Sequence, residues 1–112
     1  MNNMAILILE QQIQAIEVSL REDDNNPNPL RGTAEEKAGL RRELLSAKGM
    51  LASMRAVAKY NASSVLYSKV DSQGRNIPLD VPATYLRDIE ALFLEAASFF
   101  GEYAREMENK SN

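Results

Sequence analysis

The chain has 112 residues with a formal net charge of −3, 45% hydrophobic residues, and neither cysteine nor histidine. This length and composition are typical of one soluble globular domain. They exclude a disulfide framework, thiolate or imidazole metal sites and histidine catalysis, so we expect no cofactor and no metal.

The first residues predict a helix and no targeting segment. The apolar run from Ala5 to Leu9 has only five residues, no basic residue precedes it, and Glu10 ends it. A signal peptide needs a basic start and a longer apolar stretch, and a membrane span needs about 20 apolar residues. We therefore expect a cytoplasmic protein with no membrane contact, whose first helix covers about 3–21.

A polar segment separates the first two predicted helices. Residues 22–29 contain Pro27 and Pro29 and no apolar side chain, which ends a helix. Thr33 and Glu36 then form a capping-box pattern that opens a second helix over about 33–61.

Apolar residues follow a heptad pattern in both helices. The first helix carries them at Ile6, Leu9, Ile13, Ile16 and Leu20, and the second at Leu40, Leu44, Ala47, Leu51, Met54 and Ala58. Alternating steps of three and four residues are typical of long helices packed side by side.

Charge spacing predicts how these two helices pair. In an antiparallel arrangement, three acidic residues face three basic ones: Glu10 with Arg55, Glu17 with Lys48, and Asp24 with Arg41. The apolar pattern closes in nearly the same register, because Ile13 then faces Leu51. Two independent patterns therefore predict an antiparallel helical hairpin.

The second helix also carries a basic stripe, whose members are Lys37, Arg41, Lys48, Arg55 and Lys59. Such a stripe can contact nucleic acid. The acidic edge of the hairpin explains its spacing without a partner, and no aromatic residue is interleaved for base stacking. We therefore do not expect nucleic-acid binding.

Small residues mark a further side of the second helix, which we call the small face; with one flanking arginine it comprises Arg42, Ser46, Gly49, Ser53 and Ala56. Glycine within a helix costs about 1 kcal/mol relative to alanine, so Gly49 needs a reason. Small residues allow a second helix to come close. We interpret the small face as a contact with a second copy or another protein. A solvent-exposed face, or a groove for the third helix, are the alternatives.

The connection over 62–81 predicts a short hairpin or a plain loop. Residues 65–70 and 75–79 flank a turn in which Gly74 takes the left-handed conformation. Basic and aromatic residues near the following helix start suggest a site for a small anion; these are Lys69, Arg75, Arg87, Tyr67 and Tyr85. A surface loop with scattered charge is the alternative.

The third predicted helix covers about 82–108 and has a broad apolar face. Its heptad positions are Leu86, Ile89, Phe93, Ala96, Phe100, Tyr103 and Met107, with Tyr85, Leu92 and Phe99 beside them. We interpret this face as core. Ten such side chains exceed what one hairpin buries, which indicates self-association. Asp88, Glu95 and Glu102 repeat every seven residues and predict a solvated acidic face.

These features predict an all-α single domain over 1–112, built as an antiparallel three-helix bundle. The favoured function is a non-enzymatic protein–protein interaction module, a homo-oligomeric adaptor, inhibitor or assembly component of the kind that viruses and mobile elements encode. Its partners are itself and another protein. The alternative is an oligomer that binds a small anionic ligand such as a nucleotide.

Overall fold

The computed structural model describes residues 3–25, 34–77 and 80–111. Three helices dominate it: α1 (Asn3–Asn25), α2 (Ala34–Leu66) and α3 (Ala83–Ser111). Between α2 and α3 lie two strands of two residues each, β1 (Lys69–Val70) and β2 (Asn76–Ile77). The prediction of an all-helical fold is confirmed. Thr33 and the side chain of Asp24 lie outside the described residues, so the predicted cap and the predicted Asp24–Arg41 pair are not addressed.

The packing of α1 on α2 follows the predicted apolar pattern. Leu9 and Ile13 of α1 form a buried cluster with Leu51 of α2. Four partly buried residues at other predicted positions pack against it, namely Ile6, Leu44, Ala47 and Met54. Because burial of one Leu or Ile side chain contributes about 1.5–3 kcal/mol, this cluster is the main attraction between the two helices.

Two ion pairs flank that cluster. Glu10 lies 3.3 Å from Arg55, and Glu17 lies 3.5 Å from Lys48. Both are pairs that the charge spacing predicts. All four side chains remain between about a third and a half exposed, so solvent screens the pairs.

α3 packs on another side of α2. The Tyr85 hydroxyl donates a hydrogen bond to the carbonyl oxygen of Lys59, and Lys59 lies 3.9 Å from Asp88. Further along, Phe100 lies against Gly49. Among the described residues, no Cα of α1 comes within 8 Å of a Cα of α3. α2 is therefore the central helix, with a neighbour on each of two sides.

The second helix is longer than predicted, since it continues from Asn61 to Leu66. The hydroxyl of Ser63 donates to the carbonyl oxygen of Tyr60, and that of Ser64 to the carbonyl oxygen of Asn61. No glycine or proline interrupts this stretch. The serine hydroxyls therefore bond within α2 itself, and the helix continues into the stretch that the sequence assigns to the connection.

The connection contains a minimal strand pair. β1 and β2 pair antiparallel, with Lys69 opposite Ile77 and Val70 opposite Asn76. Gly74 has a φ of 79°, the left-handed conformation predicted for it. The pairing is much shorter than the segments 65–70 and 75–79, because α2 takes up the first residues of the former.

The molecule is elongated, with dimensions of 70 × 30 × 19 Å and a radius of gyration of 19.6 Å. A compact domain of this length has a radius of gyration of about 13 Å. Its accessible surface of 8012 Å² exceeds the roughly 6,200 Å² expected for a compact monomer of 12.5 kDa. Three long helices side by side therefore leave more surface in water than a compact domain does, and many large apolar side chains are exposed on it.

Candidate functional site

The small face of α2 is covered by α3. Gly49 and Ala56 are buried, and a Cβ atom built on Gly49 would lie 2.8 Å from a ring atom of Phe100. Glycine at this position therefore allows the Phe100 ring to approach the backbone of α2. An intermolecular contact at these two residues stays a prediction that this packing does not favour, because the chain's own third helix lies against Gly49. The alternative of a groove for that helix agrees with the structure.

The remaining residues of the small face also have local roles. The Ser53 hydroxyl donates to the carbonyl oxygen of Gly49 at 3.0 Å, within the same helix. Ser46 is half-buried. Arg42 lines a shallow groove with Arg41 and Glu106, where the start of α2 lies beside the end of α3. Gly49 and Arg42 of the small face thus lie beside α3, and the Ser53 hydroxyl is bonded within α2.

Exposed apolar residues occur on all three helices, but on α3 they recur at a regular heptad spacing. Four apolar residues spaced seven apart remain between 40% and 49% exposed; these are Leu86, Phe93, Phe100 and Met107. We call them the apolar stripe. The prediction that these four residues form core is wrong in that they are only half buried. The buried residues of α3 are Ile89 and Ala96. The excess of apolar side chains in the third helix was the signal in the sequence, but their number does not reveal which of them stay exposed.

Further exposed apolar residues lie on α2 and α3. Met50, which follows the Phe100 contact at Gly49, is half exposed, and so is Val57 one heptad later. On α3 itself, Leu94 is 63% exposed. Large contiguous apolar surface is uncommon on monomers and marks interaction sites. This surface is the strongest candidate site of the molecule.

The basic stripe is largely neutralised within the chain. Lys48 and Arg55 pair with α1, whereas Lys59 pairs with Asp88 of α3 and lies 4.4 Å from the centre of the Tyr85 ring. Glu95 lines a cleft together with Lys48 and Arg55. Asp88, Glu95 and Glu102 are all exposed, in agreement with a solvated acidic face, and the first two also lie near basic residues of α2. This arrangement supports the prediction that the stripe is structural.

The residues predicted to bind an anion are only partly brought together. Tyr67 and Tyr85 contact edge to face, with ring centres 5.2 Å apart. Each of the three cations pairs with a carboxylate; the pairs are Lys69–Asp80, Arg75–Asp71 and Arg87–Glu90. The excess of positive charge that an anion requires is therefore absent from these three pairs, and this interpretation loses its main support.

Two of these pairs influence ionisation. The backbone amide of Arg75 donates to the Asp71 carboxylate, and this bond, with those from the Gln73 amide and the Arg75 guanidinium, lowers the pKa of Asp71. The hydrogen bond from Arg87 to Glu90, at 2.8 Å, raises the pKa of Arg87. Both effects hold side chains in local structure and create no reactive group.

The described residues contain no group of three or more acidic side chains placed to hold a metal ion. Within the same residues, no helix combines the length and apolarity needed to cross a membrane. Comparison with protein families, curated proteins and solved structures finds no match for the chain.

Proposed function

We propose that this protein is a non-enzymatic protein–protein interaction module whose three helices form an antiparallel bundle and which associates with a second copy of itself. The order of contacts supports the architecture: Glu10 with Arg55 and Glu17 with Lys48 relate α1 to α2. In the same way, the contacts Tyr85–Lys59 and Phe100–Gly49 relate α3 to α2 in the opposite direction.

The observation that carries the proposal is the apolar stripe of α3. Its members are spaced seven residues apart and are nearly half exposed. Apolar residues repeating once per heptad lie on one side of a helix and pack against a similar side of a partner helix. A second copy is the occupant for which the chain itself provides the matching surface, because a twofold dimer places the same patch on both partners.

The dimensions of the molecule support the same proposal. The accessible surface exceeds that of a compact monomer by roughly 1,800 Å², and a stable dimer hides about 800 Å² on each partner. The absence of histidine and cysteine, together with the pairing of Asp88 and the placement of Glu95 beside basic residues, favours a binding role over catalysis. A further protein partner and a cytoplasmic location stay predictions.

Sedimentation equilibrium of the wild-type chain and two variants tests the proposal. We expect the wild type to approach twice the 12.5 kDa mass of the chain as concentration rises. Phe93→Glu places a charge in the apolar stripe and is expected to give a monomer. Leu7→Glu changes an equally exposed residue of α1 and is expected to leave the dimer intact.

Circular dichroism checks that Phe93→Glu still folds. If it does not, Leu94→Glu takes its place, because Leu94 is more exposed and contributes less to the fold. A wild-type chain that stays at 12.5 kDa at every concentration, or a dimer indifferent to both α3 variants, would show that self-association does not use this surface.

A further inference from the structure

We propose that the two copies pair through α3 in an antiparallel, twofold contact centred near Ala97. This inference rests on the proposed function and adds the orientation and register of the contact. The register is set by four charged residues on the outer flank of α3, the side of the apolar stripe turned away from α2; they are Arg87, Glu90, Arg105 and Glu108.

The apolar stripe is symmetric under reversal of the helix. Its four members are evenly spaced, and their midpoint lies between Ala96 and Ala97. An antiparallel partner therefore places Phe93 against the partner's Phe100 and, by symmetry, Phe100 against the partner's Phe93. The same reversal brings the two outermost apolar residues together. Aromatic pairs of this kind add to the free energy of burying apolar area.

The charges on the outer flank are symmetric about almost the same point, but with opposite signs. Arg87 and Glu108 are equally far from the midpoint between Ala97 and Ser98, and so are Glu90 and Arg105. An antiparallel contact consequently forms four intermolecular ion pairs, two of each kind. A parallel contact would place Arg87 beside the partner's Arg87 and Glu90 beside the partner's Glu90, which is repulsive. Charge complementarity thus favours one orientation.

Small residues allow two helices to approach on this flank. Ala97, Gly101 and Ala104 lie between the charged positions, and the exposed Leu94 falls opposite the partner's Gly101 in the same register. The guanidinium of Arg105 lies beside Gly101, which holds this charge on the outer flank. The centres of the apolar residues and of the charged and small residues therefore differ by only one residue and flank Ala97.

One intramolecular contact must be exchanged on pairing. Arg87 lies 2.8 Å from Glu90 of its own helix, and the two side chains are 77% and 52% exposed. A pair so exposed is weak in water. In the dimer Arg87 and Glu90 each gain a partner of opposite charge across the interface. These intermolecular pairs replace the intramolecular one, so each residue keeps a favourable charge interaction.

Engineered cysteines test the orientation, since the chain contains none of its own. In the antiparallel contact Ala97→Cys lies next to its own copy, and we expect oxidation to yield a covalent dimer. Ala104→Cys lies one heptad away on the same side of α3, and its two copies would be about 21 Å apart, at 1.5 Å per residue, so we expect no cross-link. A parallel contact would cross-link both variants.

Charge reversal tests the register. Arg87→Glu turns two attractive pairs repulsive, and we expect the dissociation constant of the dimer to rise about tenfold, which corresponds to about 1.4 kcal/mol. The double variant Arg87→Glu/Glu108→Arg restores opposite charges and is expected to recover the wild-type dissociation constant.

The outcomes separate this inference from the proposed function. A dimer that depends on Phe93 but cross-links through Ala104→Cys, or that the double charge variant fails to restore, overturns the antiparallel register and leaves self-association through α3 intact. A wild-type chain that never dimerises overturns both.

Discussion

Two glycines of α2 show that the surroundings of a residue determine how a larger side chain there changes the stability of the fold. A Cβ atom on Gly39 would meet only the Arg42 guanidinium, at 3.9 Å, whereas one on Gly49 would meet the Phe100 ring at 2.8 Å. In a helix, alanine is favoured over glycine by about 1 kcal/mol. At Gly39 nothing opposes that gain, but at Gly49 any larger side chain must displace α3 or its ring.

We expect Gly39→Ala to raise the free energy of unfolding by about 1 kcal/mol. Gly49→Leu is expected to lower it by about 1–3 kcal/mol, because overpacking forces neighbouring groups apart. Urea unfolding measures both changes. All variants are compared at the same low protein concentration, so that any dimer contributes equally to their measured stabilities. Gly39→Leu is the control for size. Equal stability of Gly39→Leu and Gly49→Leu would contradict the close approach of α3.

The Asp71 carboxylate organises the turn before β2 and gives a pH dependence of known sign. Its pKa in the folded chain lies below the ordinary value of 3.8, because the Arg75 and Gln73 amides and the Arg75 guanidinium donate to it. The stabilisation is therefore fully present above pH 3.8 and is lost as the pH falls through the lower folded pKa.

Carboxyl NMR of Asp71 is expected to show a titration midpoint below 3.8. Arg75→Ala removes the guanidinium but keeps the backbone amide, so the midpoint is expected to rise while staying below that value. A midpoint at or above 3.8 in the wild type would contradict this account of the turn.

At the scale of elements, burial and charge make different contributions to the contact of α1 with α2. Ile13 and Leu51 are buried, whereas the pairs Glu10–Arg55 and Glu17–Lys48 are half exposed and screened. The apolar residues therefore provide most of the stability, and the charges select the register.

A double-mutant cycle on Glu10 and Arg55 is expected to give a coupling of about 0.2–1 kcal/mol that declines with added salt. Ile13→Ala is expected to lower the free energy of unfolding by about 2–5 kcal/mol, and this loss is expected not to change with salt. Thermal or urea unfolding at two salt concentrations measures both. A coupling that salt leaves unchanged would contradict the screened geometry.

The sequence predicted α1 against α2 because spacing alone carries that information: Leu9 and Ile13 repeat in steps of three and four, and the charges repeat every seven residues. It could not predict how α3 lies. Three adjacent heptad positions of α3 are apolar. The pattern therefore shows that α3 has a wide apolar face, but it does not show which part of that face is buried against α2. The buried part depends on how closely α3 can approach α2 at Gly49 and Ala56, and this depends on the packing of the two helices together. Likewise, the sequence predicted the left-handed conformation of Gly74 in the turn, but it did not predict the extension of α2 to Leu66.

For the whole molecule, the decisive feature is the central position of α2, with α1 and α3 on different sides. Helix contacts among the described residues then join only elements that are consecutive along the chain. The contacts themselves span long stretches of chain, as between Glu10 and Arg55 or between Gly49 and Phe100, but each belongs to one pair of consecutive helices and does not require the remaining helix. The pairing of α1 with α2 can also precede the synthesis of α3, so the apolar stripe of α3 leaves the ribosome only after the first two helices are able to pack.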